Sequence, residues 1–158
     1  MPIRTASGAT VSSDIGARMA QQERDLNQQL VNSGTGVTNT GSQLRVIVPE
    51  NVAFVTGSAM VDPGIRPALR EVARSLRAYP DSNVRVVGHT DTEGSESYNR
   101  QLSQDRALAV ANILVAEGVR FTRVTASGHG SAEPITSNAT AAGRAQNRRV
   151  EIVITPIN

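Results

Sequence analysis

The sequence predicts an α+β fold, with helices packed on a small mixed β-sheet. Three observations carry that expectation. Short blocks rich in Val and Ile, at Leu44–Val48, Asn83–His89, Arg123–Gly128 and Arg149–Ile154, are punctuated by Pro and Gly and read as strands. Two segments instead space apolar residues by three and four: Ile65, Leu69, Val72, Ala73 and Leu76, and then the run ending at about Glu117. The signals alternate as strand, helix, strand, helix, strand, short helix, strand, with no internal repeat.

Residues 1–43 are rich in Ser, Thr, Gly, Asn and Gln and read as a polar N-terminal segment or linker. Residues 13–31 form a candidate helix within it, because Ile15, Met19, Leu26 and Leu30 fall near one stripe. The rest of that helix is polar, so residues 1–43 are expected to add little to the core. Residues 32–42 (NSGTGVTNTGS) read as linker or loose hairpin. The domain proper is expected over residues 44–158. Its first strand stops at Pro49. Val52–Val55 is a short apolar piece, and Asp62-Pro63-Gly64 is a turn into a helix that ends before Pro80. Ser95 or Ser97 caps the second helix and Gly118 stops it. Residues 129–138 form a loop, Ala139–Ala145 a short helix, and the last strand ends at Pro156.

Composition narrows the function. Aromatic residues are 3% of the 158, too few for a platform that stacks single-stranded bases. The charge balance is +2, and every basic residue is a scattered Arg, so no nucleic-acid partner is expected. Cysteine is absent, which removes thiol and disulfide chemistry and Cys-based zinc sites. No apolar run reaches the roughly 18–20 residues that span a bilayer. The opening Met1-Pro2-Ile3-Arg4 lacks the apolar core of a secretory signal.

The second helix carries an anomaly. Asn99, Leu102, Arg106, Ala109, Val110 and Ile113 follow one face, and Arg106 stands inside apolar company. A buried Arg needs a partner or a ligand; otherwise it snorkels to solvent. Asp91, in the loop GHTDTEGS after the second strand, is its natural counterpart, since ligands of open α/β sheets bind beyond the carboxyl ends of strands. Two readings stay open. Asp91 and Arg106 form an internal salt bridge, or they bracket a zwitterion, Asp91 taking the ammonium and Arg106 the carboxylate. A rival set takes His89, Asp91 and His129 as metal ligands with Glu133 as base, although the spacing is weak. Arg144, Arg148 and Arg149 cluster near the C-terminus, Arg149 flanking a strand and Arg148 facing the opposite side. No other catalytic motif appears.

The strings VRVVGHTDTEGSESYNRQLSQDRALAVANIL and SGHG…EPITSNATAAGRAQNRRVEIVI strongly resemble the OmpA-like C-terminal domain, the family of OmpA, Pal and MotB. The resemblance covers about Leu44 to Ile154 and rests on GHTD, N-x-x-LS-x-x-RA and GR-x-x-NRRV. It looks most like the OmpA-domain envelope lipoproteins. It implies a βαβαβ(α)β sandwich that binds peptidoglycan through the diaminopimelate of the stem peptide, without cofactor or catalysis. Carried over by position, the binding residues are Asp91, Asn99, Arg106 and Arg148, with Thr92 contributing from the loop. The family acts outside the cytoplasm. The resemblance therefore implies the periplasmic face of the envelope, outer-membrane association, and an export segment and membrane anchor upstream of residue 1. Two other functions compete: a metal-dependent peptidoglycan hydrolase using His89, Asp91 and His129, and a module that binds another envelope protein.

Overall fold

A computed structural model describes residues 2–4 and 10–157. Position 1 and positions 5–9 of the polar N-terminal stretch lie outside the described residues, as does 158. The chain runs β1 (Pro2–Arg4), β2 (Thr10–Ser12), α1 (Ser13–Gln29), β3 (Gly36–Asn39), β4 (Leu44–Pro49), α2 (Glu50–Ala53), α3 (Arg66–Ala78), β5 (Ser82–His89), α4 (Glu96–Ala116), β6 (Val124–Gly128), α5 (Ala141–Asn147) and β7 (Arg149–Pro156). The β1 and β2 strands pair with each other. The main sheet is mixed, in the order β3-β4-β7-β5-β6. Its strands are antiparallel except for β5 and β6, which run parallel across the α4 connection.

The strand period of two sorts the faces. Leu44, Val46 and Val48, then Val84 and Val86, then Val150, Ile152 and Ile154 point to one side and join the core with α1, α3 and α4. The alternate residues Arg45, Arg85, His89, Arg149 and Glu151 line the other face.

The expectation that residues 1–43 add little to the core is corrected. Ile15, Met19, Leu26 and Leu30 are all buried in it. Gln22 Nε2 donates to Ser75 Oγ of α3 at 3.1 Å, and Tyr79 Oη donates to Asp25 Oδ2 at 2.8 Å. Residues 36–39 form the edge strand β3, so of the two readings of residues 32–42 the hairpin is the one observed. Propensity and mean polarity understate such a helix, because a stripe of four well-spaced residues suffices once a partner surface exists.

On α4, the face turned to the sheet is small rather than bulky: Ser103, Ala107 and Ala111 are buried there with Leu114. Glycine on the strands matches it. A Cβ on Gly88 would lie 2.2 Å from the Ser103 carbonyl oxygen, and one on Gly128 would lie 2.2 Å from the Gln104 nitrogen. Helix and strands thus meet backbone to backbone.

Two outcomes follow for stability. Each fully buried apolar side chain contributes about 1.5–3 kcal/mol, and deleting residues 1–43 removes four and leaves β4, still paired with β7, as an open edge. The truncated chain is expected to melt about 10 °C or more below the full chain. Gly88→Ala forces a backbone clash and is expected to destabilise by about 1–3 kcal/mol or more in denaturant titration. Gly36→Ala, which meets nothing within 4 Å, serves as its control.

Candidate functional site

The α4 contact fixes a site at the ends of β4, β5 and β7. The loops after β5 and β6 are stitched together: the Thr90 amide donates to the Gly130 carbonyl at 2.8 Å, and the His129 amide to the Gly88 carbonyl at 3.0 Å. The Gly130 amide donates to Ser103 Oγ of α4 at 3.0 Å. Asn99, in the first turns of α4, donates from Nδ2 to the Glu93 carbonyl at 2.8 Å and to the Asp91 carbonyl at 3.4 Å. Its buried amide therefore shapes the GHTDTEGS loop. Thr92 lies exposed in that loop.

Asp91 and Arg106 are both buried, at 5% and 3% exposure, yet each has another partner. Asp91 Oδ2 lies 2.6 Å from Arg148 Nη1, and Asp91 Oδ1 accepts from the Glu93 amide at 2.9 Å. Arg106 Nη1 lies 3.0 Å from Glu50 Oε2, the same oxygen that lies 3.5 Å from Arg148 Nε. The direct Asp91–Arg106 bridge left open by the sequence is thus replaced by a chain: Asp91, Arg148, Glu50, Arg106. Its two cations and two anions balance, as buried ions must. The Arg106 Nε donates to the Ser58 carbonyl at 2.9 Å, and the guanidinium lies 5.0 Å from the centre of the Phe54 ring. Arg106 Nη2 is buried without a hydrogen-bond partner.

Sequence reasoning missed Glu50, Phe54 and Ser58. They come from the stretch between the first strand and the first long helix, where the one available signal was an acid directly after a strand-ending Pro. It also missed Asn147. That fully buried amide accepts from the Ile135 and Thr136 amides and donates to the Thr136 carbonyl and Asn138 Oδ1, so it anchors the loop before α5 and sets where Arg148 emerges. Arg148 and Arg149 do face opposite ways. Arg149 is buried on the far sheet face, with Nε 2.6 Å from Glu151 Oε2. Arg144 Nε pairs with Glu93 at 3.2 Å on the rim.

The proposed metal set is corrected. Among the described residues, the ligating atoms lying within 4.8 Å of one another belong to His89, His129 and Glu133, and Asp91 is not among them. Asp91 lies beyond the strand end, where Arg148 holds it. His129 Nδ1 already contacts the Glu133 carboxylate. Arg45, Arg85 and Arg149 line the same cavity of about 50 Å³, and their charges oppose a divalent cation. A larger, mostly apolar cavity of about 230 Å³ lies at the other end of the sheet, between α1 and β7, remote from the charged chain.

His89 is buried against its neighbours, and burial pushes its pKa down to about 4, aided by Arg149 and opposed by Glu151 and Glu133. The unfolded chain takes up this proton near pH 6.5 and the folded chain only near 4. His89 therefore draws stability down as the pH falls through that window, and contributes no further change below it. Melting temperature measured from pH 7 to 4 is expected to fall less steeply in His89→Asn than in the wild type.

Comparison with known proteins bears on this geometry. Residues 53–148 match the OmpA family. The chain is 41% identical over 143 residues to the probable lipoprotein YiaD of Escherichia coli, covering 90% of this chain and 65% of YiaD. It is 44% identical over 113 residues to the peptidoglycan-binding protein ArfA of Mycobacterium tuberculosis, covering 72% of this chain and 35% of ArfA. Its fold is similar to the cell wall anchor of the T6SS from Pseudomonas aeruginosa, with a TM-score of 0.77 and 34% identity over 86% of this chain and 97% of that one. The chain thus spans about two thirds of the length of YiaD and a third of ArfA.

Proposed function

The chain belongs to the OmpA family, and we propose that it binds peptidoglycan without cutting it, gripping the free end of diaminopimelate in the stem peptide. The observation that carries this reading is Arg106: a buried guanidinium with an unused Nη2, linked through Glu50 and Arg148 to a buried Asp91 in one balanced chain of charges. A site that already balances two cations against two anions accepts a zwitterion without net change of charge. Asp91 takes the ammonium. Arg106 takes the carboxylate through its fork, and Arg148 adds a second cation. Asn99 offers neutral hydrogen bonds and keeps the loop in place, with Thr92 at its lip. ArfA is named for peptidoglycan binding and the T6SS relative for anchoring to the cell wall. Both support a tethering role on the periplasmic side of the envelope, in association with the outer membrane, and the similarity to the probable lipoprotein YiaD supports attachment to a membrane. Catalysis has no support in the site, because Asp91 stands apart from the two histidines.

The test uses ligand chemistry first, so that folding does not confuse it. A diaminopimelate-type peptide supplies ammonium and carboxylate, whereas a Lys-type peptide supplies the ammonium alone and leaves Arg106 without its anion. That loss is expected to weaken binding to the wild-type chain about tenfold to a hundredfold. Equal binding of the two peptides refutes the reading. Arg106→Ala and Asp91→Ala are expected to abolish wall pull-down and Asn99→Ala to weaken it less, with melting followed on the same samples.

A further inference from the structure

Arg106 is anchored from three sides, yet one of those anchors differs in kind. The Phe54 ring, buried after α2, and the Ser58 carbonyl, in the turn that follows, do not compete for a carboxylate. The third anchor, Glu50, is itself a carboxylate. Its Oε2 lies on Arg106 Nη1 and reaches Arg148 Nε, so it occupies the place between the two guanidiniums where an anionic group binds best. Its backbone is fixed, because the Glu50 amide donates to the Arg148 carbonyl at 3.0 Å. Its side chain is the less enclosed member of the pair, 23% exposed against 4% for Arg106. Glu50 therefore has a way out to water, and Arg106 does not.

We infer that Glu50 is an internal stand-in for the ligand's carboxylate, neutralising Arg106 and Arg148 and having to withdraw when the wall peptide binds. The inference rests on the reading of Arg106 as the carboxylate-binding group. A bidentate ligand needs both Nη1 and Nη2 of Arg106. Nη2 is unpartnered, but Nη1 is taken, so the incoming carboxylate must displace Glu50 or share the nitrogen against like-charge repulsion. Once Glu50 has swung away, Ser58 and Phe54 still hold the guanidinium in place. Glu50 then acts as a built-in competitor that sets the affinity threshold, and it supplies the carboxylate partner of Arg106, whereas Arg148 also has Asp91.

The experiment is calorimetric titration of the full chain with a soluble muropeptide ending in meso-diaminopimelate. The proteins are wild type, Glu50→Gln, Glu117→Gln and Arg106→Ala, all at one pH and salt. Glu50→Gln is expected to bind about tenfold tighter than wild type. Glu117, which pairs with Arg66 and Arg70 away from the site, removes the same unit of net charge and is expected to leave the affinity unchanged. Without ligand, Glu50→Gln should melt below wild type, and saturating muropeptide should close that gap. A purely structural role lowers melting and brings no gain in affinity. Equal or weaker binding by folded Glu50→Gln overturns the inference. If that variant fails to fold, Glu50→Asp, whose shorter chain retracts from Arg106, must show the gain instead. Loss of binding in Arg106→Ala with no gain in the Glu50 variants removes only the role of Glu50. Binding indifferent to Arg106→Ala, or absent from wild type and the Glu50 variants alike, removes the reading of Arg106 together with it.

Discussion

The contact between α4 and strands β5 and β6 governs the rest of the molecule. Gly88 and Gly128 leave no room for a side chain, so the helix backbone lies directly on the strand backbones at Ser103 and Gln104. Ser103 closes the contact by taking the Gly130 amide. A helix held at this distance has little freedom to slide or rotate, because any shift drives atoms into each other. Its first turns are thereby fixed above the loop after β5. Asn99 reaches the carbonyls of that loop, and Arg106, two turns further on, enters the core between Phe54 and Glu50.

Burying Arg106 then imposes an electrostatic condition. An ionised group taken from water costs several kcal/mol unless it is paired and hydrogen-bonded. The fold meets this condition with groups from separate stretches of chain: Glu50 after β4, Ser58 in the following hairpin, and Arg148 with Asp91 to extend and balance the line of charge. Proteins often close such networks completely. Here Arg106 Nη2 is left over, and Glu50 keeps access to solvent. On the proposed reading, the arrangement that neutralises these charges is also the one that receives a carboxylate and an ammonium. If that reading holds, stability and binding draw on the same four charged side chains.

The opposite face of the sheet follows different physics. His89, Arg149 and Glu151 alternate with core residues and so point away from the helices. Each is almost fully enclosed. Glu151 gathers Arg149 at 2.6 Å and Arg45 at 3.4 Å, a structural pairing that explains why two adjacent arginines, 148 and 149, have unrelated surroundings. Arg149 opens β7 and turns to this face, whereas Arg148 caps α5 and pairs with Asp91.

Much of the fold was legible in local pattern. Leu44–Val48 is a short apolar block, Ile65 to Leu76 steps by three and four, and Pro49, Pro80 and Gly118 mark ends, because strands and helices leave local signals in neighbouring residues. Arg106 stood out for the same reason, as a charge on an otherwise apolar face. The motif strings identified the domain and singled out Asp91, Asn99, Arg106 and Arg148. Two things were not legible. The stripe of Ile15, Met19, Leu26 and Leu30 looked too sparse to matter, since its worth depends on the α3 and sheet surface it meets. The pairing of the charges was equally hidden. Sequence supplied one Asp and one Arg of opposite sign and left their bridge open. Only the tertiary structure brought Glu50 between Arg106 and Arg148, because which ions meet is decided by where distant backbone segments end, and no local period records that.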